Sequence, residues 1–139
     1  MSVAPITCHI LDTTRGKPAS NVVVQLYHIS SNPKDLDNSS IPIHFASSKT
    51  DSDGRIKNWI FDPNQNLENL GIIEQNWDDL KPGIYKVKFL TGKYFLNLSN
   101  DRTFFPFVEI IFIIEDPPDN HYHIPLLLSN HSYTTYRGS

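Results

Sequence analysis

Two histidines separated by one residue, His121 and His123, are the clearest chemical signal in this 139-residue chain. On an extended strand that spacing projects both imidazoles from one face. Such a pair can hold a metal if a third ligand arrives, which here would be His9 or His131. It can also move protons, since an imidazole near its ordinary pKa of about 6.5 accepts and donates at neutral pH. His9 lies on the polar side of its own segment with Thr7; taken alone it reads as a surface or packed histidine. Arg55 follows the Asp53-Gly54 turn. Its plainest role is a solvated strand end, and its chemical role would be a permanent planar cation aimed at an oxyanion. The run Tyr133-Thr134-Thr135-Tyr136-Arg137-Gly138-Ser139 alternates as an ordered strand does, whereas terminal residues are usually loose. By that alternation Arg137 and Ser139 point together, with Gly138 allowing close backbone approach. The run carries a guanidinium, a hydroxyl and the α-carboxylate. Cys8 neighbours His9 but projects to the opposite face, which argues against a Cys–His nucleophile. No Gly-rich phosphate loop, no G-x-S-x-G elbow and no helix with two metal-spaced histidines occurs.

The segments that must position these residues have an apolar period of two. Ile6 to Asp12, Val22 to Ile29, Ile84 to Leu90 and His121 to Leu128 read as strands, as does Tyr133 to Tyr136. The Asp51–Gly54 turn joins a strand near His44–Thr50 to one near Arg55–Ile60. Phe107 to Ile114 is apolar on both faces and is expected to be covered on both, by its own core and by a partner. One short helix fits Gly92 to Leu98, with Thr91 as its cap. Two stretches, 30–43 and 62–82, are rich in Ser, Asn, Asp and Pro and read as long surface excursions. The expectation is a single all-β domain over 1–139, a two-sheet sandwich.

Composition narrows the function classes. Charged residues are 19% and the net charge is −3, so there is no large positive field for nucleic acid or an anionic membrane. The most apolar window, Phe104 to Ile114, is broken by Pro106 and Glu109 and is too short to span a bilayer. One cysteine builds neither a disulfide framework nor a cysteine zinc site. The first residues, Met1 to Thr7, do not read as a secretory signal, so the sequons at Asn38, Asn97 and Asn130 are expected to be silent. The default compartment is the cytosol, with a peroxisome left open.

Taken together, the motifs resemble a known family. His9-Ile10-Leu11-Asp12 followed by Gly16-Lys17-Pro18-Ala19 is similar to the N-terminal signature of the transthyretin family. The run from His121 to Ser129, and the ending from Ser132 to Ser139, resemble its C-terminal signature. The resemblance spans the chain apart from the two excursions and a departure at Asn130-His131. His9, where the hormone carriers have lysine, and the ending Tyr136-Arg137-Gly138-Ser139 side with the family's hydrolytic branch.

The resemblance implies a transthyretin-like β-sandwich with one short helix. It also implies a homotetramer, a dimer of dimers, with sites in the cleft between dimers. The implied activity is hydrolytic opening of 5-hydroxyisourate to 2-oxo-4-hydroxy-4-carboxy-5-ureidoimidazoline in urate degradation, with no cofactor and no metal. By the same resemblance the catalytic residues are His9, Arg55, His123 and Ser139, with Tyr136 and Arg137 joining them around the substrate. The alternative is a non-enzymatic carrier of a small aromatic ligand in the same channel.

Overall fold

Alternation between core and solvent builds both sheets of the computed structural model, which describes residues 3–139. In chain order the strands begin with β1 (Ile6–Asp12), β2 (Lys17–Pro18), β3 (Val23–Ser30) and β4 (Ile43–Lys49). Two-residue strands β5 (Arg55–Ile56) and β6 (Ile60–Phe61) follow, then a 3₁₀ turn (Leu67–Leu70) and the small hairpin β7 (Ile72–Ile73) and β8 (Asn76–Trp77). The remainder is β9 (Gly83–Phe89), helix α1 (Thr91–Ser99), β10 (Val108–Ile114), β11 (Tyr122–Leu128) and β12 (Tyr133–Thr135).

The first sheet runs β12-β11-β1-β2, with β5 also on β1; the second runs β10-β9-β3-β4-β6. Inward residues of both meet in one core: Ile6, Cys8, Ile10, Ile124, Leu126 and Leu128 from the first, Val24, Leu26, Val87 and Phe89 from the second. The all-β sandwich with one helix is therefore the observed architecture. The helix closes one end by burying Phe95, and Tyr94 Oη donates to the buried Asp12 carboxylate at 2.8 Å.

Three local expectations change. Thr91 does not cap the helix; it is the first helical residue, after Leu90, and its buried hydroxyl has no partner. The stretch Arg55–Ile60 is not one strand. Arg55–Ile56 joins the first sheet and Ile60–Phe61 the second. The crossing is held by Ala4 N donating to Lys57 O at 2.9 Å and by Trp59 Nε1 donating to Ile6 O at 2.8 Å. The Asp51–Gly54 turn is thus a corner between sheets rather than a hairpin.

The segment 62–82 is more than a surface excursion, because Leu70, Ile72 and Trp77 lie in the core and Trp77 stacks edge-on against Phe45 and Phe61. Within one protomer β10 is covered on its core side, and cover of its other face is left to a partner. It is an edge strand whose Ile111 and Ile113 remain 63% and 43% exposed within one protomer.

Candidate active site

Register puts the chemistry on the outer face of the first sheet. Strand β1 runs parallel to β11 with Thr7 opposite His123, and antiparallel to β5 with His9 opposite Arg55. Paired residues share a face, so Thr7, His9, Arg55 and His123 all point away from the core that Cys8 and Ile124 fill.

The β5 strand owes its position to the preceding corner. Gly54 has φ +72°, and a Cβ there would meet Ile10 O at 2.5 Å, so the corner can close against β1 only without a side chain. Asp51 Oδ1 accepts from Asp53 N at 2.9 Å and Arg55 N at 3.0 Å. These backbone donors, that of Arg55 above all, hold the Asp51 carboxyl below the usual carboxylate range.

Beyond β12 the chain keeps its register. Leu126 faces Thr135, and three residues further His123 bridges Gly138, whose N donates to His123 O at 2.9 Å. A Cβ on Gly138 would fall 2.6 Å from His123 Cδ2, so the glycine lets the tail lie against the imidazole. A hollow of about 200 Å³ results, lined by Thr7, Arg55, Lys57, His121, His123 and Ser139 among others. His9 adjoins it through its pairing with Arg55.

Tyr136 and Arg137 are placed elsewhere. They line a second hollow of about 240 Å³, on the other side of His123, with Ile110, Phe112 and Tyr122. Arg137 lies 4.6 Å over the Tyr122 ring and donates to Asp119 Oδ2 at 2.6 Å. Both members of that pair are about half exposed, so it contributes little to stability. Arg137 and Ser139 therefore do not point together. The strand alternation ends with the bridge at Gly138, and the residue after it turns into the histidine hollow. Thr7 and Lys57 are lining residues without an assigned role in the sequence reading. The signal was parity, since Thr7 lies two residues from His9 and Lys57 two from Arg55.

Electrostatics suit the two imidazoles to base chemistry. Burial first, then the Arg55 guanidinium, lowers the pKa of His9, against an opposing contact with the Asp53 carbonyl and the nearby Asp51 and Asp53 carboxylates. Burial, then His121, Arg55 and His9, lowers that of His123. Both rings are thus neutral and able to accept a proton at pH 7. The Arg55 guanidinium has no hydrogen-bonded or ion-paired partner among the described residues. Cys8 is fully buried and its thiol is pushed far up by desolvation, so it supplies no thiolate. Among the described residues no three His, Cys, Asp or Glu side chains converge as metal ligands. The arrangement offers neutral bases and a guanidinium without a hydrogen-bonded partner, the equipment for adding water to a polarised carbonyl without a covalent nucleophile.

Comparison with known proteins gives consistent matches. Residues 6–138 match the family described as HIUase/Transthyretin. A probable 5-hydroxyisourate hydrolase of Schizosaccharomyces pombe is 37% identical, covering 96% of this chain and 90% of that protein. Among solved structures, transthyretin from Sparus aurata superposes with a TM-score of 0.70 at 28% identity, covering 97% of both chains. The 5-hydroxyisourate hydrolase of Klebsiella pneumoniae gives 0.66 at 27% identity, over 96% of this chain and 98% of that one.

Proposed function

This chain belongs to the HIUase/transthyretin family, and from that premise we infer that it is a 5-hydroxyisourate hydrolase of urate degradation. Backbone likeness cannot separate enzyme from carrier, because a transthyretin and a hydrolase superpose on it comparably. One observation carries the hydrolase reading: His123 and the unpartnered Arg55 line one hollow, and His9 pairs beside them. A carrier needs neither a base nor an oxyanion cation.

In the proposed reaction a water attacks a carbonyl carbon of the cyclic substrate while a neutral imidazole, His123 or His9, takes its proton. The new oxyanion faces the Arg55 guanidinium, whose planar donors remain charged throughout. Collapse of the tetrahedral species breaks the ring C–N bond. The departing nitrogen takes the proton back, and the opened product carries a carboxylate and a ureido group, 2-oxo-4-hydroxy-4-carboxy-5-ureidoimidazoline. Of the two protons of the water, one passes through the imidazole to the departing nitrogen and the other leaves to solvent as the new carboxylic acid ionises, so no step calls on a cofactor. Ser139 lines the same hollow and supplies a polar contact to the substrate, while Tyr136 and Arg137 line the neighbouring hollow beyond His123. The direct test generates 5-hydroxyisourate from urate with urate oxidase and follows its ultraviolet decay. Accelerated decay is expected on adding the protein, whereas tight binding without acceleration would favour the carrier.

For assembly we propose the homotetramer. The hollow lies on an outer sheet face, and the edge strand β10 leaves Ile111 and Ile113 uncovered, which a second copy would bury. Light scattering should give about four times 15.9 kDa; a monomer with full activity would overturn this.

A further inference from the structure

A single hydroxyl sits between the two imidazoles of β11 and its approach. Thr7 Oγ1 lies 2.8 Å from His121 Nε2 and 2.7 Å from His123 Nδ1. Thr7 is 5% exposed, and the two rings are near-parallel with centroids 6.1 Å apart. A threonine hydroxyl carries one proton and two lone pairs. It can donate to one ring only, so the other contact must be an N–H given to the oxygen. The tautomers of the two rings are therefore coupled.

The direction of that coupling decides what His123 can do. If Thr7 donates to His123 Nδ1, the neutral ring keeps its proton on Nε2 and has no free lone pair. If Thr7 donates to His121 Nε2, His123 holds its proton on Nδ1 and Nε2 is a base. His123 Nε2 has no hydrogen-bond partner among the described residues, and its ring lines the hollow that Arg55 shares.

We propose that Thr7 is a positioning residue: its hydroxyl, oriented by His121, holds His123 in the Nδ1–H tautomer and frees Nε2 to take the proton of the attacking water. This orientation survives the reaction unchanged. An imidazolium at His123 still donates Nδ1–H to Thr7, and Thr7 still donates to His121, so nothing reorganises as the proton arrives. The opposite orientation would force the hydroxyl to turn over at that moment.

The groups facing His123 agree with it. They are His121 on the approach to the same strand, Thr7 and His9 from β1, Arg55 from β5 and the tail at Gly138–Ser139. Of these side chains, Arg55 is permanently cationic, and His121 Nε2 lies where it can accept from the Thr7 hydroxyl.

The inference rests on the hydrolase reading for its consequence but not for its geometry, and the test separates the two. Proton-coupled ¹⁵N spectra of histidine-labelled protein at about pH 8, where the His123 ring is neutral, should show His123 protonated on Nδ1. Thr7→Val, which keeps the shape and removes the hydroxyl, should shift that ring toward Nε2–H. Its kcat should fall about tenfold with KM within about twofold of wild type, the pattern of a lost proton-transfer contribution. Thr7→Ser should restore both the tautomer and most of the rate. A wild-type His123 protonated on Nε2 would overturn the proposal, as would a Thr7→Val protein with unchanged tautomer and kcat. The wild-type spectrum decides even if that variant does not fold. An Nδ1–H tautomer in a protein that fails to open the substrate would sink the hydrolase reading alone.

Discussion

The two faces of the first sheet are made by the same strands and differ by one residue of offset. On the inner face Ile6, Cys8, Ile10, Ile124, Leu126 and Leu128 are at most 6% exposed, and each large side chain there contributes about 1.5–3 kcal/mol by its burial. On the outer face Thr7, His9, Arg55 and His123 contribute little to the core and stand in register across β5, β1 and β11. The lesson is a division of labour by parity. Substitution on one face should change stability, and on the other turnover, with little exchange between them.

The sharpest probe of that division is Arg55→Lys. It keeps the charge and loses the planar fork, and loss of one oxyanion contact typically lowers kcat by about 10²–10³. The melting temperature should not move; activity within about threefold of wild type would place Arg55 on a merely solvated strand end. Removing Arg137, Gly138 and Ser139 comes next. It strips the backbone cover from His123 and should lower kcat/KM by at least about 10²-fold, equivalent to about 2.7 kcal/mol. A folded, fully active deletion would remove the tail from the site.

The inner face is tested by Leu126→Ala, which should destabilise by about 2–5 kcal/mol in denaturant titration while the remaining folded protein keeps its kcat. A large kcat loss in fully folded protein would break the division. The mildest effect is on pH. Burial and the nearby cation depress both imidazoles below 6.5. A base must be neutral to act, so kcat/KM should rise with pH, reach its midpoint below 6.5 and stay flat through neutrality. A midpoint above about 7 would mean that neither ring is the base as placed.

Much of this was legible in the sequence because a strand declares itself by parity. Alternation in Ile84 to Leu90 places Tyr85, Val87 and Phe89 inward, and all three are fully buried. That Thr7 shares a side with His9, and His121 with His123, follows from the same rule. What parity cannot supply is the partner. The parallel contact that brings Thr7 to His123 spans 116 residues, and no local pattern announces it. Nor could the pattern show that Arg55–Ile56 and Ile60–Phe61 belong to different sheets, since both halves are equally strand-like. The buried tryptophan within 62–82 was hidden by its polar neighbours, and the orientation of Ser139 by the assumption that alternation continued past the last bridge.

The parallel pairing of β1 with β11 also has a consequence for biosynthesis. The central strand of the catalytic sheet is translated well before its neighbour, Thr7 and His123 lying 116 residues apart in the chain. While the intervening residues are being made, β1 exposes its Ile6, Cys8 and Ile10 side with no β11 beside it. Long-range closure of this kind slows folding and leaves apolar strands open to association in the meantime. A nascent chain lacking residues 122–138 therefore has no rudimentary site: the site comes together only after β11 and the residues following it have been made.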